Sequence, residues 1–365
     1  TAEGLVDPDF ASNHFLTKQE AQNRSALVSD VSYVLAMGLT KGSKTFNGRI
    51  TIDYTLARQA EDFVEGADNS ACLFIDYKGK LVRSLVINGA EVDLATPNLW
   101  RSHRIYVPKA HQVVGANKAV IEFESNYVTD CQGFQHFRDD ADGTEYVYTE
   151  LEPDYCHICF PCFDQPDLKG AHKSAVFAPE EWTVISNSEN IFSSEAGMVS
   201  EQLTDQIFKG ALKRFEVAED SPILTQYGDA RIKVHEFART KGISTYLFAF
   251  VAGPFDCLEP SPERAAELPH LPMRVYVRQS LRAYAEELKD DWFRVTKASI
   301  RFYEVMFDTP YPFDKIDSVF CPDYAMGAME NVGCITYNDT YIPRGEKQTR
   351  YRQENIFNTV AHEIS

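Results

Sequence analysis

The residues with the most chemical potential stand at the end of the chain, in Asn358-Thr359-Val360-Ala361-His362-Glu363-Ile364-Ser365. A His-Glu pair is the first half of H-E-x-x-H, in which two histidines one helical turn apart bind zinc and the glutamate acts as general base. With 9 His and 54 acidic residues, about one such pair arises by chance, so the pair alone is weak. The chain carries its own control: His235-Glu236-Phe237-Ala238-Arg239 has Arg where the second His is needed and fails. For the second pair that position is 366, beyond the sequence. On a helical wheel Ile356, Phe357, Val360, Ala361 and Ile364 form one apolar face and His362 falls opposite, toward solvent or a cleft.

Gly327-Ala328-Met329-Glu330-Asn331 precedes the pair by about thirty residues. Further upstream stand Phe160-Pro161-Cys162-Phe163-Asp164-Gln165-Pro166-Asp167-Leu168-Lys169, Trp182-Thr183-Val184-Ile185-Ser186-Asn187 and Tyr246–Phe255. In this order the segments resemble zinc aminopeptidases of the aminopeptidase N type, the gluzincins, from about Leu16 to Ser365. The resemblance implies the front part of a longer enzyme, ending inside H-E-x-x-H.

By that resemblance Glu363 is the general base and His362 a zinc ligand. Glu330 and Glu152 bind the α-ammonium of a peptide, by charge-assisted hydrogen bonds. The backbone of Gly327, Ala328 and Met329 lies along the substrate, Met326 cushions its first side chain, and Asn331 completes the substrate-binding set. One Zn2+ is expected per full-length subunit. His362 alone cannot hold it, since catalytic zinc needs three protein ligands, so activity is expected to require residues beyond 365. Two positions depart from the family pattern: Glu150, where Gln is frequent, and His157, where Arg is frequent. Glu150 and Glu152, read as neighbours on one strand face with Tyr146 and Tyr148, bring two carboxylates together, so one of them is expected to titrate high. His157 leaves the local hydrogen bonding open.

The elements that must position these residues can be sketched. Ile50, Ile52, Tyr54 and Leu56 alternate with polar residues, as do Ile121 and Phe123 around Glu122, the period of half-buried strands. Lys41-Gly42-Ser43, Asn88-Gly89 and Asp142-Gly143 signal turns. Character changes near residues 239–243. An apolar strand over Tyr246–Val251 is followed by a helical stripe, Trp292, Val295, Phe302 and Met306, read as core, which must stop before Pro310-Tyr311-Pro312. The expected organisation is an all-β domain over 1–241, saddle-like by resemblance, followed over 242–365 by the start of a thermolysin-like α+β catalytic domain.

Composition bounds the alternatives. The 365 residues, 44% hydrophobic and 25% charged, fit an ordinary globular protein of two or three domains. A net charge of −18 argues against nucleic acid as partner and suits peptides with a free amino terminus. The longest apolar run, Tyr246–Gly253, is far short of the roughly 20 residues of a membrane helix. No basic, apolar leader is visible, and a cytoplasmic location is expected. Cys156, Cys159 and Cys162 form a C-x2-C-x2-C run without a fourth ligand at the usual distance. The apolar setting favours packing over metal or redox chemistry. Three rivals stand beside the aminopeptidase: a catalytically inactive homologue that binds or scaffolds peptides, an epoxide hydrolase of the leukotriene type, and a β-rich module that binds peptides without cleaving them.

Overall fold

A computed structural model describes residues 4–12, 14–267, 271–345 and 349–365. Among the described residues the strands form sheets of nine, five, four and three strands. The largest is built on the alternating segments. Thr45–Leu56 pairs antiparallel with Gly115–Asn126, setting Ile50 opposite Ile121, and Val28–Gly38 joins Thr45–Leu56 to a parallel partner, Ala171–Pro179. Ile50, Ile52, Tyr54, Leu56, Ile121 and Phe123 are all buried, as their period requires. The Asn88-Gly89 turn closes a hairpin between Leu81–Ile87 and Ala90–Glu91, both residues at positive φ (52° and 81°), the conformation that favours Asn-Gly in two-residue hairpins.

The four-stranded sheet comprises β1 (Gly133–Arg138), β2 (Glu145–Glu150), β3 (Thr183–Ser186) and β4 (Phe250–Gly253), in the order β3-β4-β2-β1. Both its faces are covered. Val147 and Ala252 point into a core shared with the nine-stranded sheet, whereas Tyr146, Tyr148 and Val251 point into a core shared with the C-terminal sheet. That sheet contains β5 (Phe255–Leu258), β6 (Met273–Arg278), β7 (Ile316–Cys321), β8 (Ala328–Met329) and β9 (Cys334–Asn338), with β6, β7 and β9 parallel and β8 at the edge. Helices α1 (Arg282–Phe307) and α2 (Arg350–Ile364) cover its far face through Trp292, Ile300, Ile356 and Val360. The architecture is thus a β region followed by the beginning of an α+β region, as the sequence led one to expect. Sheet membership changes between Gly253 and Phe255.

Two expectations are corrected. The stretch read as a strand from Tyr246 begins with a 3-10 turn, Thr245–Leu247, and becomes a strand only at Phe250. Asn187 is the cause: its amide donates to Leu247 O and accepts from Ala249 N at 2.8 Å each, occupying groups a strand ladder would use. The helical stripe on α1 is also not core throughout. Trp292 and Val295 are buried, but Phe302 and Met306 are 60% and 63% exposed. A helix of 26 residues is about 39 Å long, and the six-residue strands beneath it cover only about 20 Å. Its last turns overrun the sheet. The helix ends at Phe307 with Asp308 left-handed, ahead of Pro310 as expected.

One buried cation fastens the two regions. Lys315 Nζ donates to Ser186 O (2.8 Å), Gly333 O (2.6 Å) and Asp317 Oδ2 (2.7 Å). Replacing it with Met keeps the stem but removes the donor these three acceptors share, leaving Gly333 O only the Asp317 N–H (3.1 Å) and the Asp317 carboxylate only Arg274 (2.8 Å). Lys315→Met should lower unfolding free energy by about 3–5 kcal/mol, the usual cost of breaking a buried pair. Denaturant titration of the variant checks this, and a loss below 1 kcal/mol would contradict the role.

Candidate active site

Helix α2 begins at Thr349, whose hydroxyl accepts from Arg352 N. Ile356 and Val360 dock on the C-terminal sheet. The wheel is right about His362, which is exposed, and incomplete about its neighbours. Phe357, assigned to the apolar face, is 36% exposed beneath the Arg294 guanidinium. Glu363 is instead on the buried side, one turn beyond Val360 and only 8% exposed. Its Oε2 is buried without a hydrogen-bond partner. Burial, followed by the charges of Glu330, Glu152 and Glu150, pushes its carboxyl up to about 8.

These carboxylates reach Glu363 from different elements. Glu330 follows β8, the edge strand of the C-terminal sheet. Its predecessors Ala328 and Met329 pair antiparallel with Tyr337 and Thr336 of β9 on one side and leave the other side open. An open edge is where an extended peptide can add as a further strand. Asn338 N donates to Gly327 O at 2.9 Å and fixes the approach to that strand. Met326 is exposed at 54%, and Met329 is buried beneath the strand. Asn331 is also buried, its Nδ2 donating to Thr336 Oγ1 at 3.2 Å.

The reading of Glu150 and Glu152 as same-face neighbours needs correction. Strand β2 ends at Glu150, and Glu152 lies in the following turn, exposed. Its N–H folds back to donate to Glu150 Oε1 at 3.3 Å. Glu150 is the carboxylate that titrates high. Burial, opposed by bonds from Tyr324 and Glu152 N–H and assisted by the charges of Glu152 and Glu330, lifts it to about 7. Sequence reasoning missed Tyr324, which no motif marks and which lies 174 positions from its partner.

A cavity of about 430 Å³ opens between the C-terminal half of α1, residues 309–313 and the end of α2, with Glu330, Asn331 and Glu363 on its wall beside Tyr246, Phe307 and Tyr311. Glu152 and His362 are not part of that wall. The structure therefore brings Glu330, Asn331 and Glu363 to one cavity, and places Glu152 within electrostatic reach of Glu363. A partnerless buried carboxylate oxygen among like charges suits a site that receives a cation. The donor set is short for zinc itself: among the described residues His362 belongs to no group of three candidate ligands.

One such group lies elsewhere. Cys156, Cys162 and Asp164 offer ligand atoms within 4.8 Å of one another. Both Asp164 oxygens are engaged, Oδ2 by His157 N and Nδ1 and Oδ1 by the Thr245 hydroxyl. Burial raises both thiols, Cys162 to about 12. Neutral, packed thiols are the chemistry this favours.

The same contacts resolve the His157 departure, since its ring and N–H both meet Asp164. Burial would lower the imidazole, but the hydrogen bond and charge of Asp164 outweigh it and hold it above its usual value. Burial acts against Asp164 too, and its bonds with His157 and Thr245 hold it below the carboxylate range. The raised His contributes stability below its unfolded value, lost as pH rises through the folded one. The depressed Asp contributes above its unfolded value, lost as pH falls. His157→Gln should therefore destabilise most between about pH 4 and about pH 6.5, and the difference should shrink toward alkaline pH. Melting temperatures of both proteins across pH check the sign.

The model of the peptidase M1 N-terminal domain matches residues 29–206, and that of the peptidase family M1 domain matches residues 292–365. The chain belongs to peptidase family M1. It is 30% identical to aminopeptidase N of Streptomyces lividans over 353 residues, 96% of this chain and 34% of that protein. It is 30% identical to aminopeptidase M1-D of Oryza sativa subsp. japonica over 218 residues, 60% of this chain and 20% of the relative. Human aminopeptidase N is 27% identical over 249 residues, 67% of this chain and 22% of the relative. The chain thus spans about a third or less of the length of these curated relatives.

Proposed function

We propose that the full-length protein is a zinc-dependent aminopeptidase that removes residues one at a time from the amino terminus of peptides. One observation carries this: a buried general-base candidate, Glu363, with a partnerless oxygen, surrounded by carboxylates delivered from two separate sheets. A cluster of unpaired acids is costly to bury, and it is compensated when the substrate brings an ammonium. Glu330 and Glu152 hold that ammonium by charge-assisted hydrogen bonds. The open edge of β8 aligns the peptide backbone, and Met326 borders the first side chain. Glu363 Oε2 takes a proton from the attacking water and returns it to the leaving amine. His362 would contribute one ligand to a zinc ion, which when bound would supply Lewis acidity at the scissile carbonyl.

The experiment compares an L-aminoacyl anilide with its N-acetyl counterpart, using the full-length protein before and after metal chelation. The free-amine compound should be cleaved, the acetylated one spared, and chelation should abolish cleavage until zinc is restored. Equal cleavage of both compounds would remove the ammonium role. Zinc-replete protein that cleaves neither would favour the inactive, peptide-binding homologue.

A further inference from the structure

The Glu150 side chain, at the end of β2, is 3% exposed, and its two oxygens have different partners. The Glu152 N–H donates to Oε1, and the Tyr324 hydroxyl donates to Oε2. Tyr324 is itself buried and stands between β7 and the pentapeptide. Its oxygen is 3.0 Å from Thr336 Oγ1 on β9, the atom to which Asn331 Nδ2 donates. A phenol has one proton. When Tyr324 gives it to Glu150, Thr336 is the donor toward Tyr324. The relay then runs from Asn331 through Thr336 and Tyr324 to Glu150, and so joins the last residue of the pentapeptide to the turn that carries Glu152.

We propose that Glu150 and Tyr324 form a proton-switched positioning pair behind the amino-terminus site, the direction of the relay being set by whether Glu150 carries a proton. The proposal rests on the aminopeptidase reading of Glu330 and Glu152. With Glu150 ionised, both its oxygens accept, and it adds a third negative charge behind the two ammonium-binding carboxylates. With a solvent-derived proton on Oε2, Glu150 donates to Tyr324 and Tyr324 donates to Thr336. The two lone pairs of Thr336 then take both Tyr324 and Asn331. The links of the relay are made in either state, so switching requires hydroxyl rotation and no movement of the backbone.

The groups that face Glu150 are Glu152, Tyr155, Cys321, Tyr324, Glu330 and Glu363. None of them is a cation that would pin it in the ionised form. Burial keeps the Tyr324 phenol far above its ordinary value, so it remains a donor. Glu150 itself, lifted to about 7, populates both states near neutrality.

The test uses the full-length protein and an L-aminoacyl anilide, with KM and kcat measured against pH for the wild type, Glu150→Gln and Tyr324→Phe. After correction for the substrate amine, which titrates near about 8, wild-type KM should fall roughly three- to tenfold as pH rises through about 7. In Glu150→Gln this fall should vanish. In Tyr324→Phe it should persist but move to higher pH, because the ionised carboxyl has lost a donor. In both variants kcat should stay within roughly threefold. A fall of KM that survives unshifted in either variant overturns the proposal.

A second readout does not depend on turnover: the carbonyl band of a protonated carboxyl in infrared difference spectra, followed against pH in a Glu363→Gln background, because Glu363 is also lifted, to about 8. It should be lost in Glu150→Gln and displaced in Tyr324→Phe. If the wild type cleaves no free-amine anilide, the aminopeptidase reading fails, and the infrared titration still decides the pair. A band that Glu150→Gln leaves in place overturns it.

Discussion

Replacing Glu363 with Gln in the full-length protein should lower kcat by roughly 10²- to 10⁴-fold, the range that a positioned general base contributes, while KM and zinc content stay within about twofold. The substitution keeps the shape and the burial but removes proton affinity from Glu363 Oε2, which lies buried without a partner. Gln also discharges a group held among Glu330, Glu152 and Glu150, so the variant should be no less stable than the wild type. Kinetics, metal analysis and a melting curve on the same preparation separate these effects. A fall in zinc content that matches the fall in kcat would move Glu363 from proton transfer to metal support.

Glu330→Ala should act on a different quantity. Each charge-assisted hydrogen bond to the ammonium is worth about 1.5–3 kcal/mol, so kcat/KM for free-amine substrates should fall roughly 10- to 150-fold. Zinc content should be unchanged, because Glu330 follows the edge strand β8 and His362 lies on α2. The loss should not be recovered by raising zinc in the assay. If activity and zinc fall together, Glu330 is not an ammonium anchor.

What the sequence made legible follows the range of the interactions involved. The β region was readable because Ile50, Ile52, Tyr54 and Leu56 bury by a local period of two, and the Asn88-Gly89 turn by local φ preference. The pentapeptide and the His-Glu pair were legible as motifs, that is, as local strings. The Glu150–Tyr324 contact was not, because it joins residues 174 positions apart, brought together only when two sheets pack face to face. The error on α1 has a similar source. The spacing of Trp292, Val295, Phe302 and Met306 states which side they share but not where the supporting sheet ends. The 3-10 turn at Thr245–Leu247 is imposed by Asn187, again from a distant strand end. Helical-wheel logic placed His362 correctly and passed over Glu363, because a glutamate is not expected on a buried face unless a site needs it there.

The fastening around Lys315 has a consequence for what such a site can accept. Lys315 binds Ser186 O and Gly333 O, and Asn187 Nδ2 binds both Leu247 O and Val332 O. Gly333, at φ +70°, passes so close that a Cβ there would meet Asn187 O at 2.2 Å. The strand ends of one region and the segment just past Glu330 are therefore stitched at the same spot, and the two sources of carboxylate do not swing apart as jaws. Under the proposed function the distance from the charged end stop to the base is cast into the frame as a fixed depth gauge. A peptide inserted amine-first then bottoms out with its first bond at the cutting point, whatever residue comes first.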